Sequence, residues 1–298
     1  MTAMVCASSG RKAGTATPSD KAAPVAESTA PHPALRAHVS SYVQVSLDLP
    51  TGESMRHPLC ALTGLVIAVL WSGRVAMQTV DATGSIPSCC VIGPLTRWHD
   101  NMVSGRLRSF CVHFTPLGAN ALLHLRGFGL RDRATATADL LERPVDAAAC
   151  AWADRVMHAR GFAERVAATD RFLVRQLHAS TFRGGLITAA VARIAQPGSG
   201  HGRVSRLAVE LECSERTLRR RFHEELGLSL KRFARITRFQ HAHAFLQGTA
   251  GADWAAAVAR FGYVDQAHLI HEYREFAGTT PKRFSPGERF LDAALVRP

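Results

Sequence analysis

The stretch V-S-R-L-A-V-E-L-E-C-S-E-R-T-L-R-R-R-F-H-E-E-L-G, Val204 to Gly227, holds two helical faces separated by a turn. Val204, Leu207, Ala208 and Leu211 fall at i, i+3, i+4 and i+7, which is one side of a helix. Glu212-Cys213 makes the turn. Ser214 is a good N-cap for a second helix, and Glu215 sits in its first turn, where the helix dipole favours a carboxylate. In that helix Leu218, Phe222 and Leu226 form the stripe to be buried, leaving Arg216, Arg219, Arg220 and His223 on another arc. Guanidinium groups on the outward face of a second helix suit a major groove, because each can grip O6 and N7 of guanine or pair with a phosphate. A solvated basic face is the competing reading of this stretch taken alone.

The pattern recurs toward the C-terminus. Trp254, Ala257, Val258 and Phe261 repeat the same spacing, Gly262-Tyr263 supplies a tight turn, and Asp265 caps a second helix over Gln266 to Phe276. Leu269, Tyr273 and Phe276 form its inner stripe; Gln266, Ala267, His268, His271 and Arg274 lie outward, with Gln suited to adenine. Glu272 and Glu275 are expected to dilute the charge of this face, so the second unit should contribute less affinity than the first. Between the two units Leu230 to Gln247 reads as one helix ended by Gly248, about 27 Å long. That approaches the roughly 34 Å between successive major-groove faces.

These residues carry a resemblance. S-E-R-T-L-R-R-R-F-H-E-E-L-G (Ser214 to Gly227), A-A-A-V-A-R-F-G-Y (Ala255 to Tyr263) and F-A-G-T-T-P-K-R-F (Phe276 to Phe284) resemble the DNA-binding domain of the AraC/XylS family of bacterial transcription regulators. The resemblance implies two helix-turn-helix units joined by a linker helix and a role in transcription control at promoters. By position, the first reading helix would present Arg216, Thr217, Arg219 and Arg220, and the second Gln266, Ala267, His268 and His271. A position often occupied by Arg in the family is His271 here. Leu35 to Leu125 is more weakly similar to the small β-rich N-terminal domains of one branch, chiefly through H-F-T-P-L-G-A-N-A-L-L (His113 to Leu123). In the family such domains sense effectors or mediate dimerisation.

Upstream of the paired units the periodicity changes. Tyr42–Leu47, Leu65–Trp71, Val75–Val80, Cys89–Ile92 and Leu107–Phe114 read as strands, separated by turn signals at Pro50-Thr51-Gly52, Ser72-Gly73, Thr83-Gly84 and Gly93-Pro94. Gly118–Leu125, Ala136–His178 and Leu186–Ala195 read as helical; Trp152, Val156, Phe162 and Val166 suit a dimer interface, a rigid coupling element or a layer covering the strands. Gly184-Gly185 and Pro197-Gly198-Ser199-Gly200 punctuate the chain, the latter as a flexible joint. The expected fold is α+β and multidomain: a disordered tail (1–33), a β-barrel-like sensor or dimerisation domain (34–126), a helical connecting region (127–183), the double helix-turn-helix domain (184–286) and a C-terminal tail (287–298).

Composition bounds the function. The 298 residues suffice for two domains, 47% hydrophobic residues build a core, and a net charge of +12 points to a polyanionic partner. The longest apolar run, Leu65 to Trp71, is far short of a membrane span, and no secretory signal is visible, so the cytoplasm is the expected location. Seven cysteines without C-x-x-C spacing support neither a disulfide framework nor a zinc ribbon, and Cys89-Cys90 reads as two small buried hydrophobes.

Two enzyme classes compete with a regulator. A cupin-type metal site needs an H-x-H pair on strands, but His241 and His243 lie on the linker helix, where i and i+2 diverge; His57, His99 and His113 are unclustered. A DNA-repair alkyl-transfer domain needs four clustered thiolates, which Cys60, Cys89, Cys90 and Cys111 on separate strands do not supply. Arg97, Trp98, His99 and Asp100 could line an effector pocket, with ordinary loop packing as the alternative. The expected reading is a non-enzymatic, sequence-specific regulator without metal or cofactor. Double-stranded promoter DNA is its partner, and RNA polymerase, a small-molecule effector and a second copy of the chain are further candidates.

Overall fold

The computed structural model describes residues 24–78, 83–141, 145–196, 204–248 and 254–284. Eight strands form one antiparallel sheet: β1 (Val25–Thr29), β2 (Val39–Asp48), β3 (Ser54–Leu59), β4 (Val66–Gln78), β5 (Thr83–Ser85), β6 (Cys89–Ile92), β7 (His99–Phe114) and β8 (Ala134–Ala136). Their order is β1-β2-β7-β4-β6-β8, with β3 pairing the first half of β7 and β5 pairing the end of β4. Among the described residues no pairing joins β8 to β1.

Alternation along the strands sorts side chains into two cores. Tyr42, Ile67, Val69, Phe110 and Val112 face one side; Val43, Val45, Val66, Ala68 and Cys111 face the other. On the first side pack α1 (Gly118–Leu123), α2 (Val145–His158) and α3 (Phe162–Ala179). Trp152 and Val156 are fully buried there, and Trp152 stacks on Phe172 while its Nε1 donates to Thr169 Oγ1 at 2.9 Å. These two side chains are spent on covering the sheet.

Several sequence expectations change. Val25–Thr29, assigned to a disordered tail, is a strand registered against Tyr42–Ser46. Its side chains are mostly exposed, so it is held through backbone pairing at a sheet edge, which apolar patterning does not reveal. Ser72-Gly73 is not a turn. It lies inside β4 where the register with β7 shifts, and Gly73 has φ +78° with Leu107 Cα 2.7 Å from where its Cβ would be. A bulge there needs glycine. Thr83-Gly84 falls in β5 instead of a turn, and Ala136–His178 opens with β8 and a 3₁₀ turn (Thr137–Asp139) before α2 begins. Residues 1–23, 197–200 and 287–298, expected as tails and a joint, lie outside the described residues.

The remaining helices are α4 (Leu186–Ala195), α5 (Val204–Glu210), α6 (Glu215–Leu226), α7 (Leu230–Gly248), α8 (Trp254–Phe261) and α9 (Gln266–Ala277). Their stripes form a third core around Phe222, Phe233, Phe239 and Tyr273, and Cys60, Ala61 and Leu117 from the β-rich half belong to it.

Candidate nucleic-acid interface

Helix α6 starts where Ser214 Oγ accepts the N–H of Thr217 at 3.1 Å and ends at Gly227, whose φ of +69° suits a residue without Cβ. Leu218, Phe222 and Leu226 are buried as expected, with Phe222 edge-on to Phe233 of α7. Burying that stripe turns Arg216, Arg219 and Arg220 outward, all exposed, with Thr217 half-buried beside them. Arg221 is exposed as well, a basic residue not included among the expected contacts. Arg219 pairs with Glu215 at 3.1 Å and Arg220 with Glu224 at 2.9 Å, one turn away on the same helix. Exposed pairs of this kind are worth about 0.3–0.5 kcal/mol, against about 1–3 kcal/mol for a bidentate base contact. The surface carboxylates therefore hold both guanidinium groups only weakly. His223, nearer the C-terminal end, sets its ring edge-on to Phe128 with centroids 5.5 Å apart.

Helix α9 repeats the construction. Asp265 Oδ1 accepts the N–H of His268 at 2.7 Å, and Gly278 closes the helix at φ +69°. Leu269, Tyr273 and Phe276 are buried; Gln266, Ala267, His271 and Arg274 are exposed. His268 turns inward: it stands edge-on to Tyr263, and its Nε2 lies 3.6 Å from Glu272 Oε1.

The acidic residues of α9 do not dilute its outer face. Glu272 is completely buried, accepting from Arg238 at 2.6 Å and from Arg235 at 2.8 Å. Glu275 pairs with Arg232 and Arg235. All three arginines come from α7, and their guanidinium groups lie over rings, Arg238 over Tyr263 at 4.6 Å and Arg232 and Arg235 over Phe276 at 4.9 and 5.1 Å. Burial pushes the Glu275 carboxyl up, but hydrogen bonds from Arg232 and Arg235 outweigh it and hold the group below the ordinary glutamate range. The signal for this ladder was present as arginines three apart on α7 facing glutamates three apart on α9, the neighbour spacing of a helix face.

Arg97, Trp98, His99 and Asp100 do not converge on a pocket. Arg97 is exposed, Trp98 packs against Gly278, His99 is buried with its Nε2 3.0 Å from Asp132, and Asp100 pairs with Arg56. Burial pushes the Cys90 thiol up and that of Cys111 up to about 12, the behaviour of small core side chains. Among the described residues no three His, Cys, Asp or Glu side chains are placed to hold a metal, and no helix is long and apolar enough to cross a membrane. His243 sits in the core of the paired units, its Nδ1 2.6 Å from the Tyr273 hydroxyl.

Residues 207–286 match a family model described as a helix-turn-helix domain. No curated protein matches the chain. Among solved structures, ToxT from Vibrio cholerae aligns at 9% identity and TM-score 0.41, over 77% of this chain and 96% of that one. The same protein with bound unsaturated fatty acid aligns at 11% identity and TM-score 0.40, over 77% and 92%. The AraC-like transcriptional activator CuxR aligns at 14% identity and TM-score 0.32, over 78% and 91%. The matched segment takes in most of α5 and all of α6 to α9, the two capped helix pairs and the α7 that joins them, so the chain carries a helix-turn-helix domain and is a DNA-binding transcription regulator.

Proposed function

We propose that the protein is a sequence-specific regulator that lays α6 and α9 into two successive major grooves on one face of promoter DNA. The observation that carries this reading is the paired geometry. Two second helices, each capped at a free N-terminal turn, are locked to a common α7 of 19 residues, about 28 Å long. Arg216, Thr217, Arg219 and Arg220 read the first box; Gln266, Ala267, His271 and Arg274 read the second. His223 and His268 serve packing first, since Phe128 and Glu272 already engage them. Selection of bound sequences from a random duplex pool tests the reading. Two preferred boxes about one helical turn apart are expected, whereas a single box, or none, overturns it.

The β-rich residues 34–126 and the helices to 183 act in regulation rather than in catalysis. A cleft of about 190 Å³ between the sheet and α7 is lined by Ser40, Thr63, His113, Gln240 and His241. Burial lowers the pKa of His113 to about 4, and its Nε2 has no partner among the described residues. A neutral imidazole beside hydroxyl and amide groups, without Lys or Arg, suits an uncharged polar effector able to hydrogen-bond with it. Pairing of two copies on DNA and contact with RNA polymerase complete the proposed role, in the cytoplasm where the DNA is.

A further inference from the structure

Loops of the β-rich half hold both reading helices at their C-terminal ends. At α6 the N–H of Gly127 donates to the Glu225 carbonyl at 2.8 Å. The backbones are so close that a Cβ on Gly127 would stand 2.3 Å from the Leu226 oxygen, and one on Gly227 2.2 Å from the Gly127 oxygen. At α9 the N–H of Ala61 donates to the Phe276 carbonyl at 2.8 Å and that of Trp98 to the Glu275 carbonyl at 3.3 Å. The Trp98 indole covers Gly278, where a Cβ would lie 2.5 Å from the ring. Arg232, already paired with Glu275, also donates to the Thr96 carbonyl.

Helix C-terminal carbonyls lack partners within the helix. Three of these orphans, one on α6 and two on α9, are taken by amides from the other half of the molecule, across glycine contacts that admit no side chain. Reading helices of this class meet base edges with their N-terminal residues. Arg216, Gln266 and Ala267, in those first turns, remain exposed. The grip therefore lies at the ends opposite those first turns.

We propose that the β-rich half is a splint for DNA reading: Ala61, Trp98 and Gly127 fix the spacing of α6 and α9 so that a two-box site meets one rigid reader. The inference rests on the two-groove reading and adds positioning residues to it. A splint removes the orientational cost of engaging the second box, which raises its effective concentration. It acts on the two-box site and leaves binding to one box untouched.

The full-length chain is tested on the selected two-box duplex and on a duplex with the α6 box alone. Trp98→Ala, and separately Gly127→Ala at the other grip, should weaken two-box binding on the order of tenfold and leave single-box binding within about twofold. Both variants should also tolerate a changed spacing between boxes better than wild type. Trp98→Phe, which keeps a ring over Gly278, should restore the wild-type preference. An unfolded variant loses single-box binding too, so the single-box duplex monitors folding. Equal losses on both duplexes in both variants, unchanged two-box binding, or tighter two-box binding, as when the contact restrains the reader, would each overturn the splint. A wild-type chain that does not prefer two boxes to one defeats the underlying reading instead, and the splint with it.

Discussion

Helices α6 and α9 are built alike and anchored differently. Each begins at a side-chain cap, runs 12 residues and closes on a glycine at φ +69°. On α6 the buried stripe is apolar and the charge is spent outward, with four exposed arginines from Arg216 to Arg221. On α9 the glutamates point inward and tie the helix to Arg232, Arg235 and Arg238 of α7, leaving Gln266, His271 and Arg274 outside. One local plan thus serves two ends: charge that faces outward in the first unit fixes orientation in the second.

The largest effect should come from the outward face. Replacing Arg216, Arg219 and Arg220 together with Ala should cost about 1–3 kcal/mol for each base-reading guanidinium removed, with circular dichroism unchanged. A variant that stays folded and binds promoter DNA as wild type does would break the comparison on its first side. Glu272→Ala addresses the other side. It leaves Arg238, whose side chain is 10% exposed, in the interior with its partner gone, and should cost about 3–5 kcal/mol in urea unfolding. Glu224→Ala, which frees only the surface partner of Arg220, should cost about 0.3–0.5 kcal/mol. Similar destabilisation by the two would mean that α9 is not held by charge.

The caps should not differ. Ser214→Ala and Asp265→Ala each remove one hydrogen bond to an N-terminal amide and should cost about 1 kcal/mol apiece. A clear inequality would show that tertiary anchoring already acts at the helix starts.

The smallest effect is one of sign. Glu275 titrates below the ordinary glutamate value of 4.5, so its stabilisation is present above that value and fades as pH falls through the lower folded value. Glu225 of α6 is raised by desolvation, and the Arg126 and Arg221 charges only partly oppose it. Its contribution runs the other way, with protonation favouring the fold. Amide exchange followed from pH 6 to 3 should therefore show protection in α9 falling before that in α6; the reverse order would sink the assignment.

What could be read from the sequence was local. Caps, stripes and glycine stops repeat every three or four residues along one helix, so α4 emerged with its observed limits, α6 with its observed start, and α7 and α9 to within a residue. β6 was equally plain, as four apolar or small residues between turns. What needed a partner stayed hidden. β1 has almost no apolar face and is held by the backbone of β2. The Ser72-Gly73 bulge is defined by the backbone of Leu107 opposite. Trp98 read as loop or pocket until Gly278 stood beneath it.

The sequence by itself thus determined the two helix pairs, their basic outward arc and the linker between them, because helical periodicity and capping are settled by neighbours in the chain. Only the tertiary structure decided that Glu272 is buried, that His268 and His223 are engaged by packing, and that both helix ends rest on the β-rich half. Those outcomes depend on which charge or carbonyl from a distant segment reaches a desolvated site, and the energy of a buried group is set by that partner, not by its own position in the chain.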